Sequence, residues 1–204
     1  MIVTQVTELS KSRSKVYIDQ EFAFVLYKGE LRLYHIKEGN VIAEEDYHSI
    51  IKEVLPKRAK LRAMNLLQKR TYTEKQLRDK LQEGLYPQEI LDGAISYVKS
   101  FHYLDDEQYA LDYITYNEER KPLRKIEQDL YLKGIDRDIF RKAYMQWEEM
   151  NGRQNEELMI NQLLEKKKYH KDCDIKEKQK IYAFLLRKGY SAETIRRVMY
   201  LEND

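Results

Sequence analysis

Apolar positions along this chain follow two different rhythms. Over Lys15–Tyr27 they crowd among β-branched and aromatic residues and are broken once, at Asp19-Gln20-Glu21, a pattern that predicts a hairpin. Ile2–Leu9 reads as a third strand, since an isolated hairpin is marginal in water. Lys28-Gly29-Glu30 is expected to end the second hairpin strand. Leu31–Ile36 fits either a strand or a short helix, and Lys37-Glu38-Gly39-Asn40 reads as a turn. From Glu44 onward the spacing becomes helical. Glu44–Leu55 carries an acidic first turn suited to the helix dipole, and Pro56 is expected to stop it.

The helical part repeats itself. Leu77–Leu81 followed by Gly84, Ile126–Leu130 followed by Gly134, and Ile181–Leu185 followed by Gly189 are three versions of one string: an apolar pair four apart, a glycine, and a new helix holding Ile90, Ile139 or Ile195. The glycines recur 50 and 55 residues apart, a period typical of repeat arrays. The pattern predicts a mainly α fold: an elongated array of three tandem three-helix repeats behind a small β-rich N-terminal extension. The expected divisions are 1–43 for the extension, 44–104 for a lead-in helix and the first repeat, 105–152 for the second repeat and 153–204 for the third. Stacked repeats offer long surfaces for macromolecules more readily than closed pockets for small substrates.

Local signals fill in each unit. Leu61, Ala63, Met64, Leu66 and Leu67 fall on one face of the first helix, and Thr73-Glu74-Lys75-Gln76 has the form of a capping box. Gly84 is expected to close the next helix at positive φ, and Pro87 to open the third, which buries Ile90, Leu91, Ala94, Ile95 and Val98. Tyr103 and Leu104 are expected to plug the junction with the second unit, whose first helix starts at Asp105-Asp106 and carries Tyr109, Ala110, Tyr113 and Ile114. Pro122 restarts the chain, Gly134 closes the middle helix and Asp136 caps the last, with Ile139, Phe140, Ala143, Tyr144 and Trp147 inward. In the third unit Leu158, Met159, Leu163, Leu164, Phe184, Val198 and Met199 read as core.

Charge changes the picture through its distribution. The net charge is only +2, yet 35% of residues are charged and the cations cluster. Lys57, Arg58, Lys60, Arg62, Lys69 and Arg70 occur in a stretch without Asp or Glu; Arg120, Lys121, Arg124 and Lys125 form a second group, and Lys166, Lys167, Lys168 and Lys171 a third. Such runs suit a surface that meets phosphate or an acidic protein face, or simply a solvated helix flank. Seventeen tyrosines are present, most at core spacing, with Tyr72, Tyr86 and Tyr116 the candidates for exposure.

Reaction chemistry is missing from the sequence. It contains no P-loop, Gly-rich nucleotide fingerprint, Gly-x-Ser-x-Gly elbow or His-Glu-x-x-His. His170-x-x-Cys173 has ligand-like spacing without a second pair, so no metal or cofactor is expected. The single cysteine excludes an internal disulfide, and no apolar run approaches the ~20 residues of a membrane span. The expectation is a cytoplasmic protein.

Several strings together resemble the RecX family of regulatory proteins: Leu66-Leu67-Gln68-Lys69-Arg70 with Tyr72-Thr73-Glu74 and Leu77–Leu81, Tyr103–Ala110 with Tyr113-Ile114, and Ile126–Ile135. The likeness is tight over about 60–145 and looser elsewhere. The resemblance implies a monomeric, non-enzymatic regulator of homologous recombination and DNA repair. Its implied partner is the recombinase RecA and RecA's filament on single-stranded DNA, whose strand exchange and ATPase activity it would inhibit or modulate, with room for direct contact with DNA. The residues expected to face filament or DNA are Lys57, Arg58, Arg62, Lys69, Arg70, Arg120, Lys121, Arg124 and Lys125. Two other classes fit parts of the pattern: a stand-alone nucleic-acid-binding helical protein needs only the basic clusters, and a helical adaptor for another protein needs only the repeat.

Overall fold

The computed structural model describes residues 1–200. Strands β1 (Val3–Ser10), β2 (Arg13–Ile18) and β3 (Glu21–Tyr27) form an antiparallel sheet in the order β1-β2-β3. The β2–β3 turn places Asp19 and Gln20 at φ 48° and 73°, the mirror-image turn geometry that matches strand twist. Side-chain bonds offset the strain of two non-glycine residues there: Asp19 Oδ1 accepts the Ile2 N–H at 2.9 Å, and the Gln20 N–H donates to Thr4 Oγ1 at 2.9 Å.

Lys28–Glu30 ends β3, which stops at Tyr27. It opens helix α1 (Lys28–Leu33), because the Glu30 carboxylate reaches back to accept the Tyr27 N–H at 2.7 Å and caps the turn. Pro56, by contrast, does not stop the lead-in helix. Helix α2 (Glu44–Ser49) passes through a π-helical turn, Ile50–Val54, into α3 (Leu55–Leu67), which holds Pro56 in its first turn. The Leu55 N–H bonds Ile50 O, five residues back, and this wider turn absorbs the proline's missing donor and its ring.

The remaining helices are α4 (Glu74–Gln82), α5 (Gln88–Ser100), α6 (Asp106–Asn117), α7 (Leu123–Leu132), α8 (Arg137–Asn151), α9 (Glu156–Lys166), α10 (Ile175–Lys188) and α11 (Ala192–Tyr200). The chain folds as two compact units that meet in sequence at Asp105/Asp106. In the first, Val16, Phe24 and Leu26 of the sheet share one core with Ala59, Ala63, Leu77, Leu81, Leu91, Ile95 and Leu104 of the helices. The second holds two cores, one around Ile114, Ile126, Leu130 and Trp147, the other around Ile160, Leu164, Ile181, Leu185 and Ile195.

Three apolar residues lie where the spacing did not put them. Leu61 is 60% exposed because the buried stripe of α3 runs through Leu55, Ala59 and Ala63 at strict four-residue steps. Leu158 is 53% exposed, and Ile160 is buried in its place. Tyr103 is 54% exposed and stacks on Phe101 instead of plugging a junction, whereas Leu104 is buried in the first unit's core.

The three repeat glycines also divide. Gly134 and Gly189 take φ 95° and 103°, the left-handed C-terminal stop. Gly84 does not; Leu85 carries the positive φ, 55°, instead. Gly84 is needed for clearance, since a Cβ there would lie 2.4 Å from the Tyr86 ring.

Candidate interaction surface

Elementary electrostatics separates cations that hold the fold from cations free to meet a partner. Arg58 belongs to the first kind. Its Nη1 donates to Val25 O at 3.0 Å, Nη2 pairs with the Glu30 carboxylate, and the guanidinium lies 4.7 Å from the centre of the Tyr27 ring. It ties α3 to β3 and to the start of α1. Arg62 is more exposed and 3.7 Å from Glu83, an arrangement worth little in water. Lys57, Lys69 and Arg70 are exposed, and among the described residues none has a carboxylate within ion-pair distance. Arg70 is held 4.2 Å over the Tyr72 ring, and that ring is only 8% exposed, so Tyr72 serves as a support and not as the exposed aromatic expected.

The second basic group divides the same way. Lys121 Nζ donates to Asp129 Oδ2 at 2.8 Å and to the Tyr113 hydroxyl at 3.0 Å, and Lys125 Nζ lies 3.1 Å from Asp129 Oδ1. Burial alone would raise the Asp129 pKa, but the hydrogen bonds from Lys121 and Lys125 outweigh it and hold the carboxyl below its ordinary value. These lysines therefore brace the α6–α7 corner. Arg120 and Arg124 remain exposed, Arg120 lying 4.2 Å over the ring of Tyr116, itself 67% exposed. Arg124 borders a shallow hollow of about 440 Å³ with Tyr131, Arg137 and Phe140.

Of the residues nominated from sequence, Lys57, Lys69 and Arg70 are thus available in the first unit and Arg120 and Arg124 in the second. Arg58, Lys121 and Lys125 are engaged within the fold. Sequence reading missed an aromatic ladder that runs from the partly buried Tyr97 to the exposed Phe101 and Tyr103: Tyr97 and Phe101 meet at 5.0 Å, Phe101 and Tyr103 stack at 5.9 Å, and Lys60 Nζ sits 4.9 Å over Tyr97. Its signal was the i, i+4 placement of Tyr97 and Phe101 just before a turn, with His102 at φ 56° folding Tyr103 back.

Among the described residues no group of His, Cys, Asp and Glu could hold a metal ion, and no helix is long and apolar enough to cross a membrane. Tandem helix triplets behind a small antiparallel sheet define a helical-repeat protein, with several of its cations mounted on aromatic rings. The family model for the first three-helix domain of RecX matches residues 59–97, and that for the third matches 156–199. The regulatory protein RecX of Caldanaerobacter subterraneus subsp. tengcongensis is 31% identical over 98% of this chain and 100% of its own length. That of Clostridioides difficile is 27% identical over 97% and 94%. The chain belongs to the RecX family. In fold it is similar to a crystal structure of regulatory protein RecX, with a TM-score of 0.63 and 21% identity over 98% of this chain and 99% of that one. A crystal structure of RecX from Lactobacillus salivarius gives 0.60 and 23% over 72% and 95%.

Proposed function

We propose that this protein is a cytoplasmic, monomeric, non-enzymatic regulator of homologous recombination and DNA repair that binds RecA and its nucleoprotein filament and restrains strand exchange and the coupled ATPase. The observation that carries this reading is the full-length match to proteins named as RecX regulators. The cations with no carboxylate partner among the described residues, Lys57, Lys69, Arg70, Arg120 and Arg124, support a role for charge in docking, because no described acid pairs with them. A protein that binds the assembled filament and slows its work needs no reacting group; it acts by occupying a surface and shifting assembly by mass action.

Titration of the protein into RecA with single-stranded DNA and ATP tests this, with hydrolysis followed at two salt concentrations. The expected result is a dose-dependent fall in rate, weaker at the higher salt. Arg120→Glu with Arg124→Glu should weaken the effect while leaving the far-UV circular dichroism unchanged. An ATPase rate indifferent to the protein at either salt would remove the reading.

A further inference from the structure

The third repeat carries a basic face separate from every residue nominated from sequence. Lys176, Lys180 and Arg187 lie along one side of α10 and border a hollow of about 550 Å³ whose apolar side is formed by Ile181 and Phe184. At 1.5 Å per residue the stripe is about 16 Å long, several times the ~3.4 Å of axis that each phosphate of one stacked strand occupies. Lys167 and Lys188 bring their ammonium groups to 4.9 and 5.4 Å from the centre of the Phe184 ring. Among the described residues none of these five cations has a carboxylate within ion-pair distance, although ion pairs are frequent elsewhere on the chain. Two acids border the hollow. Asp174 accepts the Glu177 N–H at 2.7 Å as the cap of its own helix, and it and Glu177 set two negative charges against the four cations that border the hollow, Lys167, Lys176, Lys180 and Arg187.

Like charges that lie together without an ion-pair partner among the described residues disfavour the isolated protein slightly and favour a polyanion. The linear stripe suits a ligand whose charge repeats along a chain. The apolar side, and a volume in the range of small-ligand sites, suit one with flat unsaturated faces between its charges. We propose that this face of the third repeat binds a single-stranded nucleic acid, with phosphates along Lys176, Lys180 and Arg187 and a base against Ile181 and Phe184. The assignment does not depend on the recombinase reading, and its test contains no recombinase.

Fluorescence anisotropy of a labelled oligothymidylate, titrated with the full-length protein over a series of salt concentrations, gives the slope of log affinity against log salt. Lys180→Gln with Arg187→Gln should flatten that slope by about 1.4, at ~0.7 for each phosphate of a single strand that is no longer neutralised. Arg141→Gln with Lys142→Gln, an equal charge change at exposed positions of α8, should leave it within error. Three results would overturn the proposal: no binding by the parent protein, the same slope change in both double variants, or displacement by polyglutamate as effective as by unlabelled oligonucleotide at equal charge. The last would reassign the face to an acidic polypeptide.

Discussion

The carboxylate of Glu156, the first residue of α9, accepts the N–H of Leu123, the first residue of α7, at 3.1 Å. A helix of the third repeat thus caps a helix of the second, satisfying one of the donors that every helix start leaves open and setting a negative group at the positive end of a dipole. Beside it Gln154 Nε2 donates to the carbonyls of Glu118 and Lys121, so Gln154 and Glu156 together fasten the α6–α7 corner. Burial pushes the Glu156 carboxyl above its ordinary 4.5, only partly opposed by the Leu123 bond, and the neighbouring Tyr190 phenol is pushed up to about 12, first by its own burial. A carboxyl raised in the folded state binds a proton there that the unfolded chain has released, so its stabilising contribution is complete below 4.5 and is lost as pH rises through the folded value. Glu156→Gln keeps the acceptor and abolishes the titration. The parent should therefore lose stability relative to Glu156→Gln as pH rises through that window, whereas Glu156→Ala should cost about 1 kcal/mol through removal of the cap. Thermal unfolding of the three proteins across the acid range measures both effects; a parent-to-Gln difference that stays constant with pH would contradict the burial assigned to this carboxyl.

Gly189 combines two demands. Its φ is +103°, and a Cβ there would stand 3.1 Å from Lys125 Cβ and 3.3 Å from Pro122 Cγ. Gly189→Ala should cost about 1–2 kcal/mol from the left-handed backbone alone, and more if α7 cannot yield. Gly93 is the opposite case: it lies inside α5, at negative φ, with open space around its would-be Cβ. Gly93→Ala should stabilise by about 0.5–1 kcal/mol, since alanine restricts the unfolded chain and favours the helix. Urea unfolding of both variants reads the contrast in sign.

Those glycines show what was legible in the sequence. Element type, the capping pair Thr73 and Gln76, the Asp136 cap and most core positions followed from periodicity and local bonding, which act within a few residues. Features that needed a partner distant along the chain did not. Nothing near Pro56 announces the π turn that carries the helix through it, and Gly84 looked like Gly134 although it answers to Tyr86 and not to φ. The candidate surface was legible as clusters but not residue by residue. Whether a cation is free depends on an acid placed opposite it by the fold, as Asp129 is for Lys121 and Glu30 for Arg58.

That distinction predicts a difference between sequence neighbours. Arg58→Ala removes the donor to Val25 O, the partner of Glu30 and the cation over Tyr27, and should destabilise by about 2 kcal/mol, within the range for breaking a charged, partly buried network. Lys57→Ala, at an exposed position without such interactions, should lie within about 0.5 kcal/mol of the parent. Chemical unfolding of the two variants decides the matter, and equal effects would remove the structural role given to Arg58.

Asp129 brings the same distinction to acid pH. Its pKa is held down because the bonds from Lys121 and Lys125 outweigh burial, and a carboxyl depressed in the folded state contributes stability that is present above its ordinary 3.8 and is lost as pH falls through the folded value. Asp129→Asn keeps the size of the side chain but removes the charge that gathers the two ammonium groups, so at neutral pH it should cost about 1–3 kcal/mol. Below the ordinary carboxylate range the parent's own Asp129 becomes neutral, and the gap between parent and variant should close. Measured against Glu156→Gln, whose gap with the parent opens as pH rises, the two variants give pH profiles with distinct windows: the Asp129 gap is set at and below 3.8, the Glu156 gap above 4.5. An Asp129→Asn gap that persisted unchanged into strong acid would mean that the charge of Asp129 is not what stabilises this corner, and would overturn the bracing role given to Lys121 and Lys125.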